Sequence, residues 1–284
     1  MNHTTMINND KKLNNAFVTV LSTDEYLPGV IALKKMLNMV SSKFPLICAV
    51  SKGVSYKSIK WLSENNIEYI TIKKSIWKGS LSQQNYSHWS NTFDKLTIWE
   101  LEEYEKLVYL DADLMVLTNL DHLFEMEPFS GVCAGKNTPG CEDYKGINSG
   151  LIVLKPNKEI AFQLYALVDE VIKKKQSKNL PVGDQDVIQE FLGDKWNYND
   201  SLQLDDTYNI FVSDLDYYIK QGYSLSNTKK TPLQIKVVHF IGKFKPWMWA
   251  SLSFKDKLRV IKRLMLSPGY LKAFRMYQIY SNLC

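Results

Sequence analysis

Two aspartates, Asp111 and Asp113, stand two residues apart directly after the apolar run Val108-Tyr109-Leu110. A strand ending there places both carboxylates at the carboxyl end of a sheet, where open α/β sheets bind ligands. Paired carboxylates suit a hard divalent cation, which commonly shares its oxygen ligands with substrate phosphates. A second run, Val237-Val238-His239-Phe240-Ile241-Gly242-Lys243-Phe244-Lys245-Pro246-Trp247, also leads from apolar residues into polar chemistry. A neutral imidazole at His239 suits Mn²⁺ in an otherwise oxygen-rich shell. Gly242 lets backbone approach a phosphate closely, and Lys245 offers a point charge to a diphosphate. A third cluster, Ile147-Asn148-Ser149-Gly150, precedes an apolar run, and Asn148 can both donate to and accept from sugar hydroxyls. A fourth, Gly183-Asp184-Gln185-Asp186, opens a helical pattern. Taken singly, each cluster has an ordinary structural explanation: Asp111 capping a turn with Asp113 solvated, His239 a satisfied core histidine, Asn148–Gly150 a turn, Asp184 an N-cap.

The elements that must position these residues alternate. Ala16–Ser22 reads as a buried strand, Leu27–Val40 as a helix with Pro28 in its first turn, and Pro45–Ser51 as a strand. Tyr56–Asn65 follows as a helix and Ile67–Ile72 as a strand. Strand–helix–strand repetition with short connections argues for crossovers and a parallel sheet. Residues 75–91 lack a period and read as a long functional loop, a lid. Phe93–Tyr104 is expected to be helical, and Lys106–Leu110, Ser130–Ala134 and Leu151–Leu154 to be strands, with a broken loop over 135–147. Ala161–Lys175 reads as an amphipathic helix, Val187–Leu192 as a short one, and Ile235–Phe240 as a late strand.

Of the 284 residues, 45% are apolar and 23% charged, an ordinary globular balance. The net charge is +5. Lys255, Lys257, Arg259, Lys262, Arg263, Lys272 and Arg275 all fall in the last 34 residues against the single acid Asp256, leaving the body nearly neutral. No basic stripe crosses that body, so nucleic acid is not an expected partner. Cys48, Cys133, Cys141 and Cys284 fit neither a zinc pattern nor a disulfide scaffold and suit a reducing compartment. With no signal peptide and no membrane span in the pattern, a cytoplasmic protein is expected.

Together these residues resemble the glycogenin-like glycosyltransferases, the retaining, UDP-sugar-dependent family 8. The resemblance spans about residues 16–249. Ala16-Phe17-Val18-Thr19 with Tyr26 and Gly29 is similar to the family's first strand and nucleotide-binding helix. Asp94-Lys95-Leu96, Tyr109–Asp113, Asn119-Leu120 with Leu123-Phe124, Asn148–Gly150, Gly183–Gln185 and His239–Trp247 match further segments. The resemblance implies an α/β, Rossmann-like nucleotide-sugar-binding domain of the GT-A type with a mixed, mostly parallel sheet and a C-terminal helical extension. With the polar composition of the start and the charge of the tail, the chain is expected to divide into a disordered segment at 1–15, a catalytic domain at 16–250 and basic amphipathic helices at 251–284. By the same resemblance Val20, Ser22, Thr23 and Tyr26 hold uracil and ribose, while Asp111, Asp113 and His239 bind Mn²⁺ (or Mg²⁺) with the UDP diphosphate, Ala112 lying between the two acids. Gly242 and Lys245 clamp the diphosphate, and Lys95, Asn148, Ser149, Asp184 and Gln185 face the transferred sugar. Lys95, Asp184, Gln185 and Lys245 carry the catalytic roles. Two departures bear on the donor sugar: Pro181 replaces an acid of the glycogen initiators, and the acidic sugar contact of the 135–147 loop has two candidates, Asn137 and Asp143.

The implied reaction is transfer of a hexose, glucose, from UDP-glucose with retention of configuration, to a carbohydrate or to a protein Tyr, Ser, Thr or hydroxylysine. The acceptor attacks from the leaving-group side, or Asp184 or Gln185 attacks first in a double displacement; an amide oxygen is a poor nucleophile, and the first route is favoured. Tyr208, Tyr217, Tyr218 and Tyr223 occupy the region where glycogenins glucosylate themselves, with Tyr217 or Tyr218 the candidates for self-glucosylation. A galactosyltransferase, or a catalytically silent nucleotide-sugar binder of the same fold, is the alternative. A nucleotidyltransferase is disfavoured because Leu21–Leu27 contains no glycine. The tail reads as two helices broken at Ser267-Pro268-Gly269, with Leu258, Ile261, Leu264 and Met265 as an apolar stripe. It could dock on the catalytic domain, on a partner, or on an anionic membrane surface; the simplest reading packs it on its own domain with the basic face solvated. A homodimer is a separate expectation.

Overall fold

Strand β1 (Ala16–Leu21) lies between β2 (Leu46–Val50) and β4 (Leu107–Leu110), parallel to both, and β3 (Glu68–Thr71) extends the sheet beyond β2. The computed structural model describes residues 15–72, 87–133, 145–226 and 233–281, with backbone alone for 87–91. On the other side of β4 the sheet turns antiparallel through β7 (Ile147–Leu154) and β6 (Gly131–Cys133), then closes with β8 (Gln203–Leu204) parallel to β6. The seven-stranded order is β3-β2-β1-β4-β7-β6-β8. The sheet is therefore mixed and mostly parallel, as the family resemblance implies, whereas the alternating pattern by itself argued for a parallel one. A second, three-stranded sheet joins β5 (Leu114–Val116), β10 (Val237–His239) and β9 (Ile210–Phe211) in the order β5-β10-β9.

Both faces of the large sheet are covered, which is why its strands read as nearly continuous apolar runs. Alternate residues serve opposite faces. Phe17, Val108, Leu110 and Val153 join helix α1 (Leu27–Met39) and helix α7 (Pro268–Ser281) in one cluster. Val18, Tyr109, Ile152 and Leu154 join α3 (Lys158–Gln176) and α4 (Asp184–Asn197) in another. Asn157 caps α3 by accepting from the backbone N–H of Glu159 at 2.7 Å and of Ile160 at 3.3 Å. Helix α2 (Tyr56–Glu64) is capped by Ser55 and covers the β2–β3 side.

Several expectations need correction. The segment expected to be α-helical over Phe93–Tyr104 is a 3-10 helix over Ser87–Glu100. Its apolar spacing is three, with Phe93, Leu96 and Trp99 all buried, and the tighter helix stacks such side chains on one line. Strand β7 begins at Ile147 rather than Leu151, so Asn148–Gly150 is strand, not turn. Helix α4 is longer than Val187–Leu192 and breaks at Gly193, whose φ is 58°. Strands β5, β8 and β9 and helix α5 (Leu215–Lys220) were not anticipated, being too short to show a period.

The tail divides unevenly. In α7, Tyr270, Ala273, Phe274 and Tyr277 follow helical spacing and are buried in the core, with the Tyr277 ring 5.2 Å from Phe240 and 5.6 Å from Trp247. Helix α6 (Phe254–Leu266) buries Val260 alone. Of the stripe expected to pack inward, Leu264 is half-buried, but Leu258, Ile261 and Met265 are exposed. No helix among the described residues is long and apolar enough to cross a membrane.

Cys48 and Cys133 are buried free thiols. Burial pushes the Cys48 thiol up to about 12. Since the thiolate is the reactive form, iodoacetamide at mildly alkaline pH is expected to leave Cys48 unmodified in the folded chain and to label it after unfolding in urea, as peptide mass mapping reads. Labelling in the native state would place β2 at a more open position. Cys141, Cys284, Asn137, Asp143, residues 75–86 of the lid expected over 75–91 and residues 1–14 of the segment expected at 1–15 lie outside the described residues, while 87–91 open the 3-10 helix.

Candidate active site

The acidic pair follows β4 without a break. Pairing of Leu110 with Leu151 carries β4 to its end, and the backbone N–H of Asp111 donates to the Gly150 carbonyl at 2.8 Å. The chain then turns, with the N–H of Leu114 donating to the Asp111 carbonyl at 3.1 Å, and enters β5. Antiparallel pairing sets Leu114 opposite His239, and the Phe240 N–H donates to the Asp113 carbonyl at 3.1 Å. Residues 126 positions apart thus meet: His239 Nε2 lies 3.2 Å from Asp113 Oδ1 and 3.8 Å from Asp111 Oδ2. One ligand atom from each of the three lies within 4.8 Å of the others.

The tautomer of His239 follows from a backbone donor. The N–H of Gly150 donates to Asn148 Oδ1 at 2.9 Å, which fixes the orientation of that amide. Asn209 Nδ2 donates to the same oxygen at 2.6 Å, so Asn209 Oδ1 faces His239 Nδ1 at 2.9 Å and accepts its proton. Nδ1 therefore carries a hydrogen, and Nε2 is the ring nitrogen that faces the two carboxylates. Two carboxylates and an imidazole nitrogen within coordination reach of one another are a donor set that fits a divalent ion such as Mn²⁺.

Two buried lysines balance the acids. Lys245 Nζ sits 2.5 Å from Asp113 Oδ2 and donates to the Phe240 carbonyl at 2.8 Å. Burial works to raise the Asp113 carboxyl, but the Lys245 charge and His239 outweigh it and hold it well below the usual carboxylate range. Lys95 Nζ lies 2.7 Å from Asp184 Oδ2, 3.1 Å from Asp111 Oδ1 and 3.1 Å from Ser149 Oγ. Burial disfavours its ammonium, yet Asp111 and Asp184 hold its pKa above the ordinary value. The Tyr109 hydroxyl donates to Asp111 Oδ1 at 2.5 Å; burial and that carboxylate push the phenol far up, so it stays a donor.

The residues singled out in the sequence fall as follows. Lys95, Asp111, Ala112, Asp113, Asn148, Ser149, Asp184, His239 and Lys245 are linked through the contacts above or by adjacency along the chain. Gln185 Oε1 accepts from the Ser149 N–H at 3.2 Å. Val20, Ser22 and Thr23 are half-buried at the carboxyl end of β1. The Tyr26 ring stands edge-on to Trp247 at 5.8 Å, with Lys245 Nζ 6.0 Å from its centroid. Gly242 is on an exposed turn with φ 90°. Asp184 is not the cap of α4; the Gly183 N–H donates to Asp186 Oδ2 instead, freeing Asp184 for Lys95.

Sequence reasoning missed Asn209, and it gave Tyr109 and Gly150 no role of their own although both lie in segments it singled out. A Cβ on Gly150 would lie 2.7 Å from His239 Cε1, so the imidazole packs where any side chain would stand. Likewise a Cβ on Gly29 would lie 2.6 Å from the Ala112 carbonyl and 2.7 Å from Trp247 Cη2, which lets α1 rest directly on the acidic turn. Asn209 belongs to no recognisable pattern; its one signal is that it precedes the short apolar pair Ile210-Phe211 of β9.

Residues 17–250 match the family model described as Glycosyl transferase family 8. The chain is 28% identical over 246 residues to glycogenin of Komagataella phaffii, covering 83% of this chain and 58% of that protein. It is 29% identical over 237 residues to Glycogenin-1 of Caenorhabditis elegans, covering 83% and 51%. The chain thus spans little more than half the length of these relatives. The crystal structure of the galactosyltransferase LgtC with donor and acceptor sugar analogues aligns with a TM-score of 0.61 at 16% identity, over 83% of this chain and 89% of that one. The large sheet and its flanking helices are accordingly a GT-A-type glycosyltransferase fold. Because the family match runs unbroken from β1 to beyond His239 and takes in most of the chain, the protein belongs to glycosyl transferase family 8.

Proposed function

We propose that this chain transfers glucose from UDP-glucose, with retention of configuration and dependent on Mn²⁺, to a hydroxyl of a glycan or protein acceptor. The observation that carries this reading is His239 Nε2 facing Asp111 and Asp113 at 3.8 and 3.2 Å. When bound there, the ion supplies Lewis-acid stabilisation of the charge that builds on the departing diphosphate. Val20, Ser22, Thr23 and Tyr26 hold the uridine at the end of β1. Lys245, already directed at Asp113, adds its ammonium to the leaving group, with Gly242 providing the turn beside it. Asn148, Ser149, Gln185 and Lys95 orient the hexose. Asp184 is tied to Lys95 at 2.7 Å, which lowers its nucleophilicity. That supports attack by the acceptor from the leaving-group side, its proton passing to a phosphate oxygen. The buried free thiol of Cys48 accords with a reducing, cytoplasmic setting.

The test is UDP release by the purified chain with Mn²⁺ or Mg²⁺ and a panel of UDP-sugars. UDP-glucose is expected to be the best donor and Mn²⁺ the better ion. Preference for UDP-galactose would move the donor assignment, pyrophosphate release would replace the reaction class, and inertness with every sugar would favour a silent binder. Self-glucosylation narrows to Tyr217, which is half-buried. Tyr218 is buried and its hydroxyl donates to Asp206 Oδ2 at 2.6 Å. Intact mass after incubation with UDP-glucose is expected to show an added hexose, absent in Tyr217→Phe; an unchanged mass beside active UDP release rules it out.

Asn209 orients the imidazole without touching the ion. Asn209→Ala is expected to weaken Mn²⁺ binding by about 10–100-fold, the usual cost of losing such a partner. Calorimetric titration of Mn²⁺ reads this directly, and an unaltered affinity would remove Asn209 from that role.

A further inference from the structure

Helix α6 keeps its largest apolar side chains in solvent. Phe254, Leu258, Ile261 and Met265 are 79%, 50%, 39% and 78% exposed. Their spacing of four, three and four residues places them on one narrow strip along the helix. An adjoining flank, roughly 110° round the helix from the strip, rests on the domain through buried Val260 and half-buried Leu264, and the Arg263 guanidinium lies 5.6 Å from the Tyr270 ring of α7. Lys257 borders the strip on one side, and Lys255 and Lys262 border it on the other. The single acid of the helix, Asp256, lies off the strip and is paired with Arg259 at 3.0 Å.

A continuous apolar ridge on a surface marks an interaction site rather than a chance exposure. Its lysine borders decide the occupant. Two copies meeting ridge to ridge would bring both sets of ammonium groups together, whereas a bilayer of anionic lipid accepts both features at once. Apolar side chains enter the boundary of the acyl region, and the lysines stay among the headgroups. We propose that α6 lies in the plane of an anionic membrane surface and docks the protein there. Helix α7, which is buried in the core by Tyr270, Phe274 and Tyr277, couples α6 to the domain, so docking sets the orientation of the catalytic face. This inference does not depend on the donor or the metal.

The test is flotation of the full chain with vesicles of phosphatidylcholine alone or mixed with phosphatidylserine. Binding to the mixed vesicles is expected, at least about tenfold weaker binding to neutral ones, and release on raising salt. Leu258→Gln/Ile261→Gln/Met265→Gln changes only exposed positions; it is expected to melt as the parent does and to lose at least about tenfold in binding. Removing each of Lys255, Lys257 and Lys262 is expected to cost about fivefold on the mixed vesicles and little on the neutral ones. The proposal is overturned if the parent chain floats with neither vesicle, if it binds both equally, if the triple variant floats as well as the parent, or if light scattering shows a dimer that the triple variant dissolves.

Discussion

Asp113→Asn is expected to lower Mn²⁺-dependent UDP release by about 10²–10³-fold, the range that follows loss of one preorganised electrostatic contact to a developing charge. The amide keeps the shape of the carboxyl and removes its charge. Asp113 Oδ1 lies 3.2 Å from His239 Nε2, so the change withdraws an anionic ligand from the group of three. Asp113 Oδ2 lies 2.5 Å from Lys245, so the same change leaves a buried ammonium facing a neutral group. The two consequences separate experimentally. Titrating Mn²⁺ against rate reads the ligand loss, and urea unfolding reads the uncompensated lysine. Activity within about tenfold of the parent at saturating Mn²⁺ would take Asp113 out of the centre, since one contact of this kind accounts for more than that.

Lys95→Met is expected to destabilise the fold by about 3–5 kcal/mol, because it strips the cation from a buried pair and leaves its partner charged. The side chains of Lys95 and Asp184 are 7% and 8% exposed and stand 2.7 Å apart. Asp111, 25% exposed, lies 3.1 Å away on the other side of the same ammonium. Removing the lysine leaves two carboxylates without the charge between them, and UDP release should fall as well. The double variant Lys95→Met/Asp184→Asn is expected to recover part of the stability, since the unpaired buried charge is gone, but not the activity. Urea unfolding of the three proteins checks this; a loss of under about 1 kcal/mol in the single variant would mean the pair is far better solvated than its burial implies.

The parts of the fold that could be read in advance have strong local patterns. Strands β1, β2 and β4 are short apolar runs between turn residues, and α1, α3 and α7 carry clear apolar faces. The segment at Phe93–Tyr104 reads as helix but with the wrong bounds and type, because the apolar spacing of three in the 3-10 helix Ser87–Glu100 also fits one face of an α-helix. The strands that complete the site, β5 and β9, are three and two residues long, below any detectable period. Asn148 and Ser149 read as turn residues from their types, yet they sit inside β7 because Asn209, Gln185 and Lys95 satisfy their polar groups. Helix α6 shows the reverse case: its apolar stripe was evident, but the direction it faces is set by which side rests on α7.

By its own pattern the sequence determined the alternating α/β order, the carboxylate pair at the end of an apolar strand, and the histidine and lysine six residues apart after a late apolar strand. These are local properties, carried by side-chain type and period. What tertiary structure alone decided is the register of β5 against β10, which sets Leu114 opposite His239 and so brings Asp113 within reach of the imidazole. It also decided that Asn209 fixes which ring nitrogen faces the acids, and that Lys95 and Lys245 lie against those acids in a buried place. Such pairings depend on strand register and on the exclusion of water, and neither is encoded in any short stretch of residues.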